Sequence, residues 1–218
     1  MTIESILQGC RDFGVTMQTV AILAFGKTLA CMLERRDVVF DHVVGGRSLA
    51  MPGADEVIGP LFNTVPSRII FDKTYVTNKV AAVEIQQSWG DSQPHQHAPL
   101  GNIQQARRWK VRDANAQLFD ALFVYQNTVG KTAFIDGLRE PLDLGEVVTF
   151  TEYSTNLEFE HGEKGILLRV ASCNGLRTRE QLQVRLTDFE LAFRDILEQP
   201  RRSVMAFPVL LQSLPLTI

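Results

Sequence analysis

The run "LFDALFVYQN", Leu118 to Asn127, constrains this chain more than any other stretch. β-Branched and aromatic residues dominate it, and both of its alternating faces are mostly apolar. A strand of that kind belongs in the middle of a sheet. Its partners are legible in the change of period along the chain. "GVTMQTVAILAFGKTLACMLERRD" reads as a long, mostly buried helix that ends at the charged group Glu34 to Asp37. "DVVFDHVVGGR" then alternates: Val38, Phe40, His42 and Val44 share one strand face, and Val39, Asp41 and Val43 share the other. Gly45-Gly46 ends that strand, and a loop with Pro52 and Gly53 leads to a further strand around Arg68 to Phe71. "TYVTNKVAAVEIQQSWGDS" is helical, with Val76, Val80 and Val83 on one side, extended by Ala82, Ile85 and Trp89. "DSQPHQHAPLGNIQQARRW" reads as a polar turn and a short helix.

Gly145 to Ser172 reads as two strands joined around "EHGEKG". In "TREQLQVRLTDFELAFRDILEQP" Thr178 and Gln181 form a capping-box pattern. Leu182, Leu186, Phe189, Phe193 and Ile196 recur at helical spacing, and Pro200 stops the run. The order predicts an α/β chain of the α+β sandwich type: a mixed sheet covered by helices. One domain over residues 1–199 is expected, with 200–218 ("PRRSVMAFPVLLQSLPLTI") as an extended linker or docking tail.

Composition excludes several classes. The 218 residues are 45% hydrophobic and 22% charged, which suits a packed soluble domain, and the net charge of -3 gives no field to draw nucleic acid. The basic cluster Arg107, Arg108, Lys110 and Arg112 reads as solvated surface. Cys10, Cys31 and Cys173 are odd in number and far apart, so they offer neither a disulfide framework nor a CxxC metal site. A reducing, cytoplasmic compartment is the simpler expectation. "MTIESILQGC" has Glu4 and no basic region ahead of an apolar stretch, so it is not read as a signal peptide. Lys27, Gln18 and several threonines make residues 14–33 a buried helix rather than a membrane span.

No catalytic engine is visible. There is no GxSxG elbow, phosphate loop or HExxH. His42 sits among valines and reads as a hydrogen-bonded wall residue rather than a base. His95 and His97 flank Gln96 without a nearby third ligand except Asp91, so no metal is expected. His161 falls in a charged hairpin and reads as exposed. One stretch stands out: "IGPLFNTVPSRI", Ile58 to Ile69, places Asn63, Thr64 and Arg68 between and after two prolines, where a core strand would avoid them. On residue physics it is either a substrate site or a strand edge satisfying its own backbone.

"VVFDHVVGGRSLAMPGADEVIGPLFNTVPSRI" resembles the latter half of condensation domains from nonribosomal peptide synthetases. In that family a strand ends in a small-residue-Gly-Arg turn and leads to I/V-G-x-F-x-N-T-x-x-x-R, which here reads "IGPLFNTVPSR". "HQHAPL" resembles the next motif, with Leu100 in place of an aromatic, and "LFDALFVYQN" the strand after it. The Gly-Pro-Leu-Phe-Asn-Thr-Val-Pro version is most similar to fungal synthetases, those of hydroxamate siderophores especially. The departure matters more. The family's His-His-x-x-x-Asp-Gly reaction centre lies in the first half of the domain, and this sequence has no adjacent histidines.

The resemblance therefore implies a chloramphenicol-acetyltransferase-like half-domain, the C-terminal subdomain of an enzyme that joins carrier-bound aminoacyl or peptidyl groups. No catalytic residue is assigned to it. Arg47 is expected to support the catalytic loop by pairing with the motif aspartate of the other half. Asn63 and Thr64 are expected on the strand facing the substrate channel, with His42 in its wall. Gly59, Arg68, Gln96 and Pro99 are expected to shape the motifs. The implied partners are the N-terminal condensation subdomain, peptidyl carrier proteins with their 4'-phosphopantetheine arms, and an adenylation domain. No cofactor bound directly, no nucleic acid and no membrane are implied. Two other readings stand beside it: a non-catalytic module that binds a carrier or a neighbouring domain, and a small acyltransferase with His42 as base.

Overall fold

The computed structural model describes residues 1–45, 53, 56, 59, 61–71, 76–108, 119–128, 153–162, 165–173 and 176–206. Its elements run α1 (Ile3–Phe13), α2 (Met17–Met32), β1 (Asp37–Gly45), β2 (Phe62–Ile70), α3 (Asn78–Ser92), a 3-10 turn (Gln93–His95), α4 (Leu100–Arg108), β3 (Ala121–Asn127), β4 (Thr155–Gly162), β5 (Gly165–Ala171) and α5 (Arg179–Glu198). The strands form one mixed sheet in the order β2-β1-β3-β4-β5. β1 pairs with β2 and β4 with β5 in antiparallel fashion, whereas β3 is parallel to both of its neighbours. The strand read as central is the central one.

One face of the sheet carries the helices. Phe25 of α2 meets Phe40 edge-on, with ring centroids 5.0 Å apart, and lies 5.4 Å from Phe123. Phe189 and Phe193 of α5 pack on Phe159 at 6.1 and 5.5 Å. Trp89 of α3 stands edge-on to His42 at 5.2 Å. α2 is the core helix: all of it except Gln18 and Cys31 is buried, as an all-round apolar pattern demands. No single helix among the described residues is long and apolar enough to cross a membrane. The other face of the sheet carries a polar ladder in which Arg169 of β5 bridges Glu158 and Glu160 of β4 at 3.1 and 2.8 Å.

Local signals explain the element ends. The Thr178–Gln181 capping box is formed in both directions at the start of α5. Thr2, Thr16 and Thr77 cap α1, α2 and α3 through their hydroxyls.

The structure departs from the sequence reading in five places. His161 is buried rather than exposed, because it stands on the face of β4 that also carries Leu157 and Phe159. α1 is a helix where the sequence patterning indicates no element. β2 begins at Phe62, well before Arg68, because it is the edge strand and an edge tolerates Pro66. Val80 is exposed rather than packed with Val76 and Val83: helix packing centres on Ala81 and Ala82, which turns Val80 outward. The stretch after Gln199 does not leave the fold at once. Val204 is 2% exposed, its amide donates to the Val76 carbonyl at 2.9 Å, and Thr77 and Ser203 form a β-bridge. Packing thus runs past the boundary drawn at 199, because the Val204 side chain finds an apolar seat beside α3. Residues 207–218 and 145–152 lie outside the described residues.

Candidate functional site

β1 and β2 bring the singular residues together through register. His42 lies opposite Val65, and Val44 opposite Asn63. Side chains alternate faces along a strand, so His42, Asn63, Val65, Ser67 and Ile69 share the helix-covered face. Thr64, Pro66 and Arg68 stand on the other. Asn63 and Thr64, both expected on the channel side of the strand, therefore face opposite sides of β2.

His42 is 3% exposed. Its Nδ1 lies 2.8 Å from the Ser67 hydroxyl oxygen, while its Nε2 is buried with no hydrogen-bond partner among the described residues. Burial alone drives the ring's pKa down to about 4, so the imidazole is neutral at physiological pH. A hydroxyl this close to an imidazole is the contact expected of a nucleophile and its base. Among the described residues the pair has no third group to orient the ring, and so weak a base is poorly matched to proton removal near neutrality. The geometry makes His42 a buried, neutral residue behind the cleft wall.

Asn63 is a brace. Its Nδ2 donates to the carbonyls of Gln96 and Ala98 at 2.8 and 3.1 Å, pinning the turn after α3 to the end of β2. Gln96 is buried inside that turn, and its amide donates to the Gln93 carbonyl. The Pro99 carbonyl accepts from the amides of Asn102 and Ile103, which starts α4. Gly59 has φ 148°, a conformation that side chains disfavour, which accounts for glycine at that motif position. Arg68 closes the far end of β2 through two bonds to Asp37, at 2.9 and 2.7 Å, both side chains being largely exposed. Arg47 lies outside the described residues.

Between β2, α3 and the 93–98 turn opens a cleft of about 620 Å³. Ile69, Ile85, Trp89 and Ile103 give it an apolar lining, and His42, Ser67 and Ser88 contribute polar groups. On the opposite sheet face Asp41 is also buried. Tyr153 donates to its Oδ2 at 2.8 Å, Oδ1 has no partner among the described residues, and desolvation raises the carboxyl's pKa.

The family model of the condensation domain matches residues 2–205. The chain belongs to that family. This condensation-domain chain is 38% identical to the nonribosomal peptide synthetase sidC of Aspergillus fumigatus over 221 aligned residues, covering 100% of its own length and 5% of the synthetase. It is 36% identical to the siderophore peptide synthetase fer3 of Mycosarcoma maydis, again over 5% of the relative. The fold is shared with the condensation domain of the monacolin K polyketide synthase MokA (TM-score 0.71, 17% identity), covering 92% of this chain and 45% of that one. It is shared as well with a four-domain nonribosomal peptide synthetase bound to AMP and glycine (TM-score 0.74, 16% identity), covering 93% of this chain and 16% of that one.

Sequence reasoning missed two members of the site. Ser67 becomes the partner of His42 only once the β1–β2 register is known, and no pattern in the sequence fixes that register. Trp89 was visible only as one apolar position on a helix face.

Proposed function

We propose that this chain is the C-terminal half of a condensation domain that forms amide bonds in nonribosomal peptide assembly, in a synthetase of the siderophore-making kind. In that reaction an amine on one carrier's phosphopantetheine arm attacks the thioester carbon on another. The C–N bond forms, the C–S bond breaks, and the amine proton passes to the departing thiol. The observation that carries the reading is a pairing of two facts. The family match runs nearly the length of this chain, yet the chain spans 45% of a solved condensation domain. The only one of its four histidines buried in the cleft wall is held neutral against a serine.

The proton-handling histidine pair that the resemblance implies would then come from the other half. This half supplies the opposing wall. Arg47 would hold the catalytic loop across the boundary, its planar fork suited to bidentate pairing with a carboxylate. Asn63 keeps the motif turn and β2 in fixed relation. Thr64, on the other face of β2, is assigned to contacts there rather than beside His42. Carrier proteins, the N-terminal subdomain and an adenylation domain are the partners, in the cytoplasm.

Reconstitution tests this. The purified chain alone should yield no amide from two loaded carriers. The same chain joined to a histidine-bearing N-terminal half should yield it, and Arg47→Ala in the joined protein should slow the reaction. Turnover by the isolated chain, or silence of the folded, joined protein, would defeat the proposal.

A further inference from the structure

β2 is an edge of the sheet, and its outer side has no partner strand among the described residues. Register says which of its backbone groups are left free. Asp37 stands opposite Ile70, so Arg36 stands opposite Phe71, and the Phe71 amide donates to the Arg36 carbonyl at 2.6 Å. Directly opposed antiparallel residues alternate between pairs that exchange bonds and pairs that do not. Residues 63, 65, 67 and 69 therefore bond to β1. The N–H and C=O groups of Thr64, Arg68 and Ile70 point outward, with the Pro66 carbonyl between them. None of these outward groups bonds to another backbone group among the described residues, and Arg68 and Ile70 are exposed. Every residue of 65–71 lines the cleft, whichever way its side chain points, so the free edge of the strand faces that space. We propose that the cleft between β2 and α3 accepts an added strand, antiparallel to β2, and that the occupant is this chain's own segment 207–218.

Three observations choose the occupant. The first is position. Asn63 holds the turn that follows α3, so the start of α3 lies at the other end of the cleft, by Phe71. Val76 and Val204 line the cleft there, and the Val204 amide donates to the Val76 carbonyl at 2.9 Å. The described chain ends two residues later, at Ala206. A segment that enters at this point and follows the edge runs from Phe71 back toward Asn63, which is antiparallel to β2. The second is sequence. In "FPVLLQSLPLTI" Pro208 and Pro215 bracket six residues, and Val209, Leu210, Leu211 and Leu214 among them are apolar. Prolines belong at strand ends. Six extended residues reach about 20 Å, about the length of the outward run 64–70. Their side chains suit a lining that includes Ile69, Ile85 and Trp89. The third is the tether. Main-chain bonds supply the affinity when a strand is added to an edge, and Pro66 has no N–H to give. That shortfall weakens the edge as a site for an unattached peptide. A segment joined to the fold a few residues away has an effective concentration of roughly millimolar and needs little affinity.

Amide hydrogen exchange of the purified full chain, read residue by residue by ¹⁵N-resolved NMR, tests this. The edge amides of Thr64, Arg68 and Ile70 should exchange slowly in the wild type, and nuclear Overhauser contacts should join Arg68 and Ile70 to 209–214. Leu210→Pro with Leu211→Pro removes one N–H from each alternating set, so it costs a bond to β2 in either register. The three edge amides should then exchange about a hundredfold faster. The amides of Val65, Ser67 and Ile69, which β1 holds, should stay protected in both proteins and report that the variant is folded. Tenfold dilution should change nothing. Fast exchange at Arg68 and Ile70 in the wild type, or the lack of contacts to 209–214, would overturn the assignment without recourse to any variant. Equal protection in the folded double-proline variant would overturn it as well. Protection that fades on dilution would give the edge to a second copy of the chain and exclude its own segment. Exchange requires neither a second half-domain nor amide formation, so this outcome is independent of the reconstitution above.

Discussion

At His42 the fold spends stability to keep a ring uncharged. The ordinary histidine pKa is near 6.5 and the folded value is about 4, with burial as the cause. Between those values the unfolded chain holds a proton that the folded chain refuses, so stability falls as pH falls through that window and is intact above it. At pH 5 the loss from this residue is about 2 kcal/mol relative to pH 7. Urea unfolding of the wild type and of His42→Gln at the two pH values should show that excess loss in the wild type alone. Equal losses would mean that the ring is charged in the fold. The other titratable or charged groups lining the cleft, Glu84, His95 and Arg68, are exposed and unchanged by the substitution, so they cancel in the comparison. The site was half legible for the same reason that this prediction exists. A histidine among valines announces a wall residue from sequence. Its partner Ser67 is 25 positions away and is set by strand register. A one-residue slip in that register would have exchanged it for Pro66 or Arg68.

The elements were easier to read, because periodicity reports burial directly. α2, β1, β3 and α5 follow from apolar spacing and caps. β2 and α1 did not: prolines hid the first, and the second is a short amphipathic helix with only Ile6, Cys10 and Phe13 buried. What spacing cannot convey is how closely two elements approach. Gly26 of α2 faces Ile69 of β2, and a Cβ built on it would stand 2.5 Å from the Ile69 Cδ1. In an isolated helix Gly→Ala would gain about 1 kcal/mol. Here overpacking costs about 1–3 kcal/mol and wins. Gly26→Ala should therefore lower the thermal midpoint. Adding Ile69→Val, which removes that very Cδ1, should restore most of the loss. Additive losses in the double-mutant cycle would show that the contact does not set the helix–strand distance.

At the scale of the whole molecule a buried charge cluster joins parts of the chain that are distant in sequence. Lys27, fully buried on α2, donates to Asp195 Oδ2 of α5 at 3.0 Å and to Asn78 Oδ1 of α3 at 3.1 Å. Asn78 Nδ2 in turn reaches the Asp195 and Gln199 carbonyls, and Arg202 binds Asp195 Oδ1 at 2.8 Å. In the sequence Lys27 argued only against a membrane span, because its countercharge is 168 positions away. Desolvation lowers the Lys27 pKa, and the Asp195 carboxylate opposes that shift. The carboxylate is thus the group that allows a cation inside the core. Asp195→Ala should cost about 3–5 kcal/mol, the range for removing one partner of a buried pair. It should also free the 200–206 segment, because Arg202 loses its anchor there. Lys27→Met with Asp195→Leu should recover much of that stability, since the pair's desolvation disappears with its attraction. Urea denaturation of the three variants, with amide exchange at Val204 as the local probe, separates the outcomes. A single Asp195→Ala variant as stable as the double would show that the cluster is not what fastens the chain's exit to its core.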